Sequence, residues 1–104
     1  MKENPIEQRL RDKLTAHGFK VLKLTCPGTI GVLDRLILAP KWSPGPPWVV
    51  ECKATGKTER RAQELIAIEW RERGVQVLAR CDSYERVDEI VAYLLAVCMK
   101  DIIP

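Results

Sequence analysis

The sequence predicts a mixed α/β domain with the element order helix, three strands, helix, strand, helix. Three observations carry that expectation. A capped amphipathic segment opens the chain, from Asn4 to Gly18. Two near-continuous apolar runs, Val32 to Ala39 and Trp48 to Ala54, are joined by a Pro/Gly-rich turn from Pro40 to Pro47. Two further stretches with a helical period follow, separated by a short apolar run from Val75 to Ala79.

The first helix has its signals in order. Asn4 suits the N-cap, Pro5 the first helical position, and Glu7 stands three residues after Asn4 as in a capping box. Ile6, Leu10 and Leu14 form one apolar stripe, and Gly18 stops the helix. Glu7 borders that stripe. Phe19 to Thr25 alternates loosely among lysines and reads as a partly exposed first strand, with a turn at Cys26-Pro27-Gly28-Thr29. The second and third strands are apolar on both sides, which fits burial on both faces, and their short connection makes them antiparallel.

The second helix is expected to start near Thr58 as cap and to end at Gly74, with Ala62, Leu65, Ile66, Glu69 and Trp70 at helical spacing. After the fourth strand, Asp82 and Glu85 form a capping pair for the last helix. That helix is apolar over a wide arc: Val87, Ile90, Val91, Leu94, Leu95, Val97 and Cys98. The arc exceeds what one chain need cover, so a homodimer is expected.

The totals narrow the class. At 104 residues the chain is one domain, large enough to bury a core without staples. A net charge of +3 is compatible with a nucleic-acid partner without demonstrating one. Cys26, Cys52, Cys81 and Cys98 show no Cys-x-x-Cys spacing, and His17 is the one histidine, so a zinc site is not expected. No signal pattern and no membrane-length apolar run are present, so the expected location is cytoplasmic, with reduced thiols.

Strand parity points to the chemistry. Glu51 and Lys53 are two apart and share a face, while Cys52 points the other way. A hairpin centred in the Pro40–Pro47 turn sets Asp34 opposite Lys53 and Leu36 opposite Glu51, so Asp34, Glu51 and Lys53 converge. Two carboxylates at one place repel unless a cation lies between them, and hard oxygen ligands suit Mg²⁺ or Mn²⁺. A neighbouring lysine can orient water and offset negative charge on a phosphate. Gln63 precedes Ile66 by three and Trp70 by seven, which places a long amide on the inward face of the second helix. Lys57, Arg60 and Arg61, and with them Arg35, are candidate phosphate contacts.

Asp34, Glu51-Cys52-Lys53 and Gln63, preceded by Glu7 on an N-terminal helix, resemble the virus-type replication-repair nuclease (VRR-NUC) domain of the PD-(D/E)xK nuclease superfamily. The resemblance runs from the first helix to the fourth strand. It implies a restriction-endonuclease-like αβββαβ core, a mixed central sheet flanked by helices, with a C-terminal helix added. It also implies a divalent-metal-dependent DNA nuclease, acting on branched, flapped or four-way DNA as a homodimer, in a bacterial or phage-infected cell. On that pattern Glu7, Asp34 and Glu51 are the acidic site residues. The backbone carbonyl of Cys52 is a further metal ligand, Lys53 is the catalytic lysine and Gln63 the supporting amide. The chain departs from the superfamily pattern at Leu33, where the name carries a proline; that residue shapes backbone and is not a ligand.

Other readings stand beside these. Glu7 can be the capping-box acid alone, Glu51 and Lys53 a solvated cross-strand pair, and Gln63 a surface amide. Lys57, Arg60 and Arg61 can be a solvated helix face. Trp42 can pack on the turn, join a dimer or touch a base. A non-catalytic DNA-binding or assembly module with a nuclease-like fold is the alternative function. It predicts salt-sensitive binding and no divalent-metal binding.

Overall fold

A computed structural model describes residues 5–24, 35–52, 57–78 and 80–100, with backbone alone at 57–60 and 62. The expectations for Asn4, the turn at Cys26, residues 32–34 including Asp34, Lys53, Ala54 and Ala79 lie outside the described residues. The elements are α1 (Pro5–Ala16), β1 (Lys20–Lys23), β2 (Arg35–Leu38), β3 (Trp48–Val50), α2 (Lys57–Glu72), β4 (Gln76–Val77) and α3 (Tyr84–Met99). This is the expected order. The four strands form one sheet in the order β1-β2-β3-β4. β2 runs antiparallel to both β1 and β3, and β4 runs parallel to β3. The sheet is therefore mixed, because α2 carries the chain back to the starting end between β3 and β4.

Both helix stops predicted from glycine are built the same way. Gly18 and Gly74 each adopt φ +93°, in the left-handed region. At the end of α1, Phe19 N–H reaches Leu14 O and Gly18 N–H reaches Thr15 O, each at 3.0 Å. At the end of α2, Val75 N–H reaches Trp70 O at 2.9 Å and Gly74 N–H reaches Arg71 O at 3.0 Å. These are Schellman pairs, which satisfy carbonyls the helix leaves open. The first also swings Phe19 into the core, so β1 starts one residue later than expected.

The hairpin register differs from the symmetric expectation by two residues. Arg35 pairs with Val50, Leu36 with Val49 and Ile37 with Trp48. An offset of two leaves every residue on its expected face. Two caps also move. Ser83, not Asp82, caps α3: its backbone is extended and its hydroxyl accepts from Arg86 N–H at 3.0 Å. Thr58 lies inside α2, which begins at Lys57.

The core occupies one side of the sheet. Ile37, Trp48, Val50 and Cys52 meet Leu10 and Leu14 of α1 and Val87, Ile90, Val91, Leu94 and Cys98 of α3. Phe19 and Trp48 pack with ring centroids 6.2 Å apart. Five buried positions of α3 are thus covered within the chain. The wide apolar arc is consumed by the core, with Val97 left at its margin, and it supplies no argument for a dimer. Across the outer surface of the α1–α3 contact, Asp88 accepts from Arg9 at 3.2 and 3.1 Å and from Lys13 at 2.7 Å.

The β2–β3 loop is fastened by side chains. Trp42 Nε1 donates to His17 O at 3.0 Å, and Ser43 Oγ donates to Cys98 O at 3.0 Å. Gln76 Nε2 donates to Pro46 O and Pro47 O, at 3.0 and 3.2 Å. Trp42, half exposed, thus fastens the loop to the end of α1. A Cβ at Gly18 would stand 3.0 Å from Trp42 Nε1 and 3.2 Å from Pro40 Cβ. No helix among the described residues is long and apolar enough to cross a membrane.

Gly18→Ala combines a left-handed backbone with this close approach, and it should cost about 1–3 kcal/mol in urea denaturation. Gly74→Ala meets nothing within 4 Å and should cost less, about 1–2 kcal/mol, from backbone conformation alone. Asp88 is held at about 2, below its ordinary 3.8, first by the hydrogen bond from Arg9 and then by that from Lys13. A carboxyl depressed on folding contributes stability that is complete above its unfolded value and lost as pH falls through its folded value. Melting temperature should therefore decline from about pH 4 to about pH 2, and Asp88→Asn should flatten that part of the acid limb. The effect should be small because the pair is solvent-screened.

Candidate functional site

Glu51 lies just past the end of β3, on the side of the sheet shared by Val49 and away from Val50 and Cys52. It is 4% exposed. A carboxylate so buried requires hydrogen-bond donors. One comes from α2: Gln63 Nε2 donates to Glu51 Oε2 at 2.7 Å. Gln63 is itself buried, at the first inward-facing turn of a helix whose outward side carries Arg61, Glu64 and Leu65. The helical spacing that singled it out thus corresponds to a real inward position, and the surface-amide reading is replaced by a contact with an acid.

The amide has a second partner that sequence reasoning did not select. Arg80 Nη2 donates to Gln63 Oε1 at 3.2 Å. Arg80 stands in the segment leaving β4, at the same end of the sheet as Glu51. Two bonds fix that segment: Cys81 N–H donates to Glu51 O at 2.7 Å, and Arg86 Nε donates to Arg80 O at 3.3 Å. The available signal was positional. Ligand sites in such sheets gather at the carboxyl ends of parallel strands, where both Glu51 and Arg80 fall.

Glu7 and Arg35 occupy the other side of the sheet. Arg35 shares a face with Ile37 and pairs across the ladder with Val50, so its side chain is turned toward α1. There its guanidinium donates to Glu7 Oε2 in a buried ion pair. The two residues are 7% and 8% exposed. Arg35 was expected among the phosphate contacts; instead it is directed inward, because strand parity gives position 35 the core face. Glu7, expected at the metal, meets a guanidinium.

The remaining expected residues divide. Cys52 is fully buried with its side chain in the core cluster, so only its backbone can serve the side of Glu51. Arg61 is exposed and 3.7 Å from Glu64, one turn along α2. Lys57 opens α2 and Arg60 lies in its first turn, with side chains outside the description. Asp34 and Lys53 lie outside the described residues. Among the described residues no group of three His, Cys, Asp or Glu side chains is placed to hold a metal. Glu51 nevertheless has the chemistry of a hard-cation ligand: it is a buried carboxylate, oriented by an amide and adjacent to a strand-end backbone.

The sequence matches no family model and no curated protein. The fold has a solved counterpart. A structure titled "VRR_NUC domain" superposes with a TM-score of 0.63 at 24% identity, over 85% of this chain and 91% of that one. The chain therefore has a VRR-NUC-like fold, with the restriction-endonuclease-like arrangement and C-terminal helix read from the sequence.

The buried pair on the α1 side makes a separable prediction. Arg35→Met leaves Glu7 buried without its guanidinium and should cost about 3–5 kcal/mol. Adding Glu7→Leu should recover most of that loss, since an apolar pair of similar volume suits the site. Chemical denaturation of the two single variants and the double variant measures the coupling.

Proposed function

We propose that the chain is a divalent-metal-dependent nuclease that hydrolyses phosphodiester bonds in DNA. The observation that carries the reading is the buried Glu51 oriented by Gln63 at the carboxyl end of β3. A carboxylate kept out of water and aimed by an amide is costly as decoration and useful as a ligand. The likeness of the fold to a structure titled "VRR_NUC domain" supports the same reading, as does the order Asp34, Glu51, Lys53, Gln63 along the chain.

In this proposal Asp34, Glu51 and the backbone carbonyl of Cys52 hold Mg²⁺ or Mn²⁺. In the sequence, Asp34 directly precedes β2 and Glu51 directly follows β3, which supports a shared ligand position. When bound, the cation lowers the pKa of a coordinated water and stabilises negative charge on the phosphate. Lys53 orients that water and offsets charge developing in the transition state. Gln63 holds Glu51 in place. Lys57, Arg60 and Arg61, at the start of α2, contact DNA phosphates. Glu7 takes part through its ion pair with Arg35, tying α1 to β2 beside Asp34 in sequence. A small domain leaves little room for reading bases, so selection by DNA structure, of branched, flapped or four-way substrates, is the proposed preference. Paired cuts on such substrates require two sites, and hence a homodimer.

Purified protein should cleave at least one substrate in a panel of linear, flapped, splayed and four-way DNA with Mg²⁺ or Mn²⁺, and EDTA should stop it. Asp34→Asn, Glu51→Gln and Lys53→Ala should abolish cleavage while leaving the circular dichroism spectrum and melting temperature near those of the parent. Gln63→Ala should reduce cleavage by roughly 10–100-fold. Cleavage that persists through EDTA and the three substitutions would sink the proposal. So would the absence both of cleavage and of saturable Mn²⁺ binding in calorimetry.

A further inference from the structure

We propose that Arg80 is a positioning residue for this site: by holding Gln63 Oε1, it fixes the amide so that Nε2 meets Glu51. The inference rests on the nuclease reading for its kinetic consequence but not for its geometry. A primary amide has two ends of nearly equal size and opposite hydrogen-bonding character. Glu51, as a carboxylate, accepts only, and takes the Nε2 end at 2.7 Å. Arg80 donates only, and takes the Oε1 end at 3.2 Å. The reversed amide would set oxygen against oxygen and N–H against N–H at once. Glu51 alone favours the same end, but one bond leaves a side chain with three rotatable torsions able to swing away. The second bond turns it into a bridge, and the guanidinium charge polarises the amide toward stronger donation to the acid.

Arg80 is aimed by the residue it serves. The backbone N–H of the next residue, Cys81, donates to the carbonyl of Glu51 at 2.7 Å, and the Arg80 carbonyl is held by Arg86 Nε at 3.3 Å. The peptide group that follows Arg80 is thus tied to the end of β3 through its N–H and to the first turn of α3 through its carbonyl. Its side chain then closes a loop of contacts running from the Glu51 carbonyl, through Arg80 and Gln63, back to the Glu51 carboxylate. A purely electrostatic phosphate contact would not need that loop, and it would face solvent. Arg80 is instead partly buried against the amide.

The test uses the full chain with ¹⁵N label and reads the Gln63 side-chain amide by NMR, assigned by its disappearance in Gln63→Ala. In the parent protein one amide proton should be shifted downfield and exchange slowly with water. In Arg80→Met, which keeps the aliphatic stem, exchange should quicken by roughly 10-fold and the shift should relax toward that of an exposed glutamine. Arg80→Lys, a second variant that retains the charge, should restore part of both. On the DNA substrate that the parent cleaves best, Arg80→Met should lower kcat by about 10-fold with KM little changed. An unchanged Gln63 amide signature in folded Arg80→Met or Arg80→Lys would overturn the inference. A rise in KM and a shallower salt dependence with kcat intact would also overturn it, since that is the behaviour of a phosphate contact. A parent protein that cleaves no DNA, yet loses the amide signature in Arg80→Met, would remove the nuclease reading and uphold the positioning role.

Discussion

The structure depends on one constraint: a carboxylate, Glu51, is kept almost wholly out of water at the end of a short strand. Removing an ionised acid from solvent costs several kcal/mol unless donors replace the lost water. Gln63 brings the α2 side of the molecule to β3, and the Cys81 amide ties the segment after β4 to the same residue. Three parts of the chain therefore meet at one residue, α2 at its carboxylate and the segment after β4 at its carbonyl. The parallel pairing of β3 and β4, with α2 between them, is the arrangement that allows this. A hairpin would have sent the fourth strand's carboxyl end to the opposite edge.

The other side of the sheet does different work. Leu10, Leu14 and the buried stripe of α3 form an apolar layer against Ile37, Trp48 and Val50. Among the described residues its one charged intrusion is the Glu7–Arg35 pair. Each of the larger aliphatic side chains there contributes about 1.5–3 kcal/mol by leaving water. The division is set by alternation along β2 and β3. Odd positions of β2 and even positions of β3 build the core, and the residues between them face the other side of the sheet. Stability and candidate chemistry are thus written into the same two strands without competing for the same positions.

Much of this was legible because it follows from local rules. Gly18 and Gly74 marked helix ends, and their left-handed backbones are the physical reason. The alternation of Glu51 and Cys52 followed from strand geometry, and Gln63 from helical period. What escaped was what depends on pairs distant in sequence. The hairpin register could not be read from loop length, since a loop with four prolines, Pro40, Pro44, Pro46 and Pro47, does not turn at its midpoint. Ser83 and Asp82 are both good caps, and only the backbone direction entering α3 chose between them. Arg35 looked like a surface cation until the ladder gave it the core face. Arg80 had only its position after β4 to mark it, because its partner is an amide seventeen residues earlier. The breadth of the α3 apolar arc was no guide to a dimer, since its buried positions are covered by α1 and the sheet.

The β2–β3 loop has a further consequence. Prolines lack the amide proton, so half of the residues from Pro40 to Pro47 cannot be tethered through their own N–H groups. The loop's own Trp42 indole and Ser43 hydroxyl, reaching the ends of α1 and α3, and the Gln76 amide of β4 replace those tethers. A segment clamped from three directions is masonry and not a door. For the role proposed above, this loop is the fixed frame against which any adjustment to a bulky polyanion would be measured.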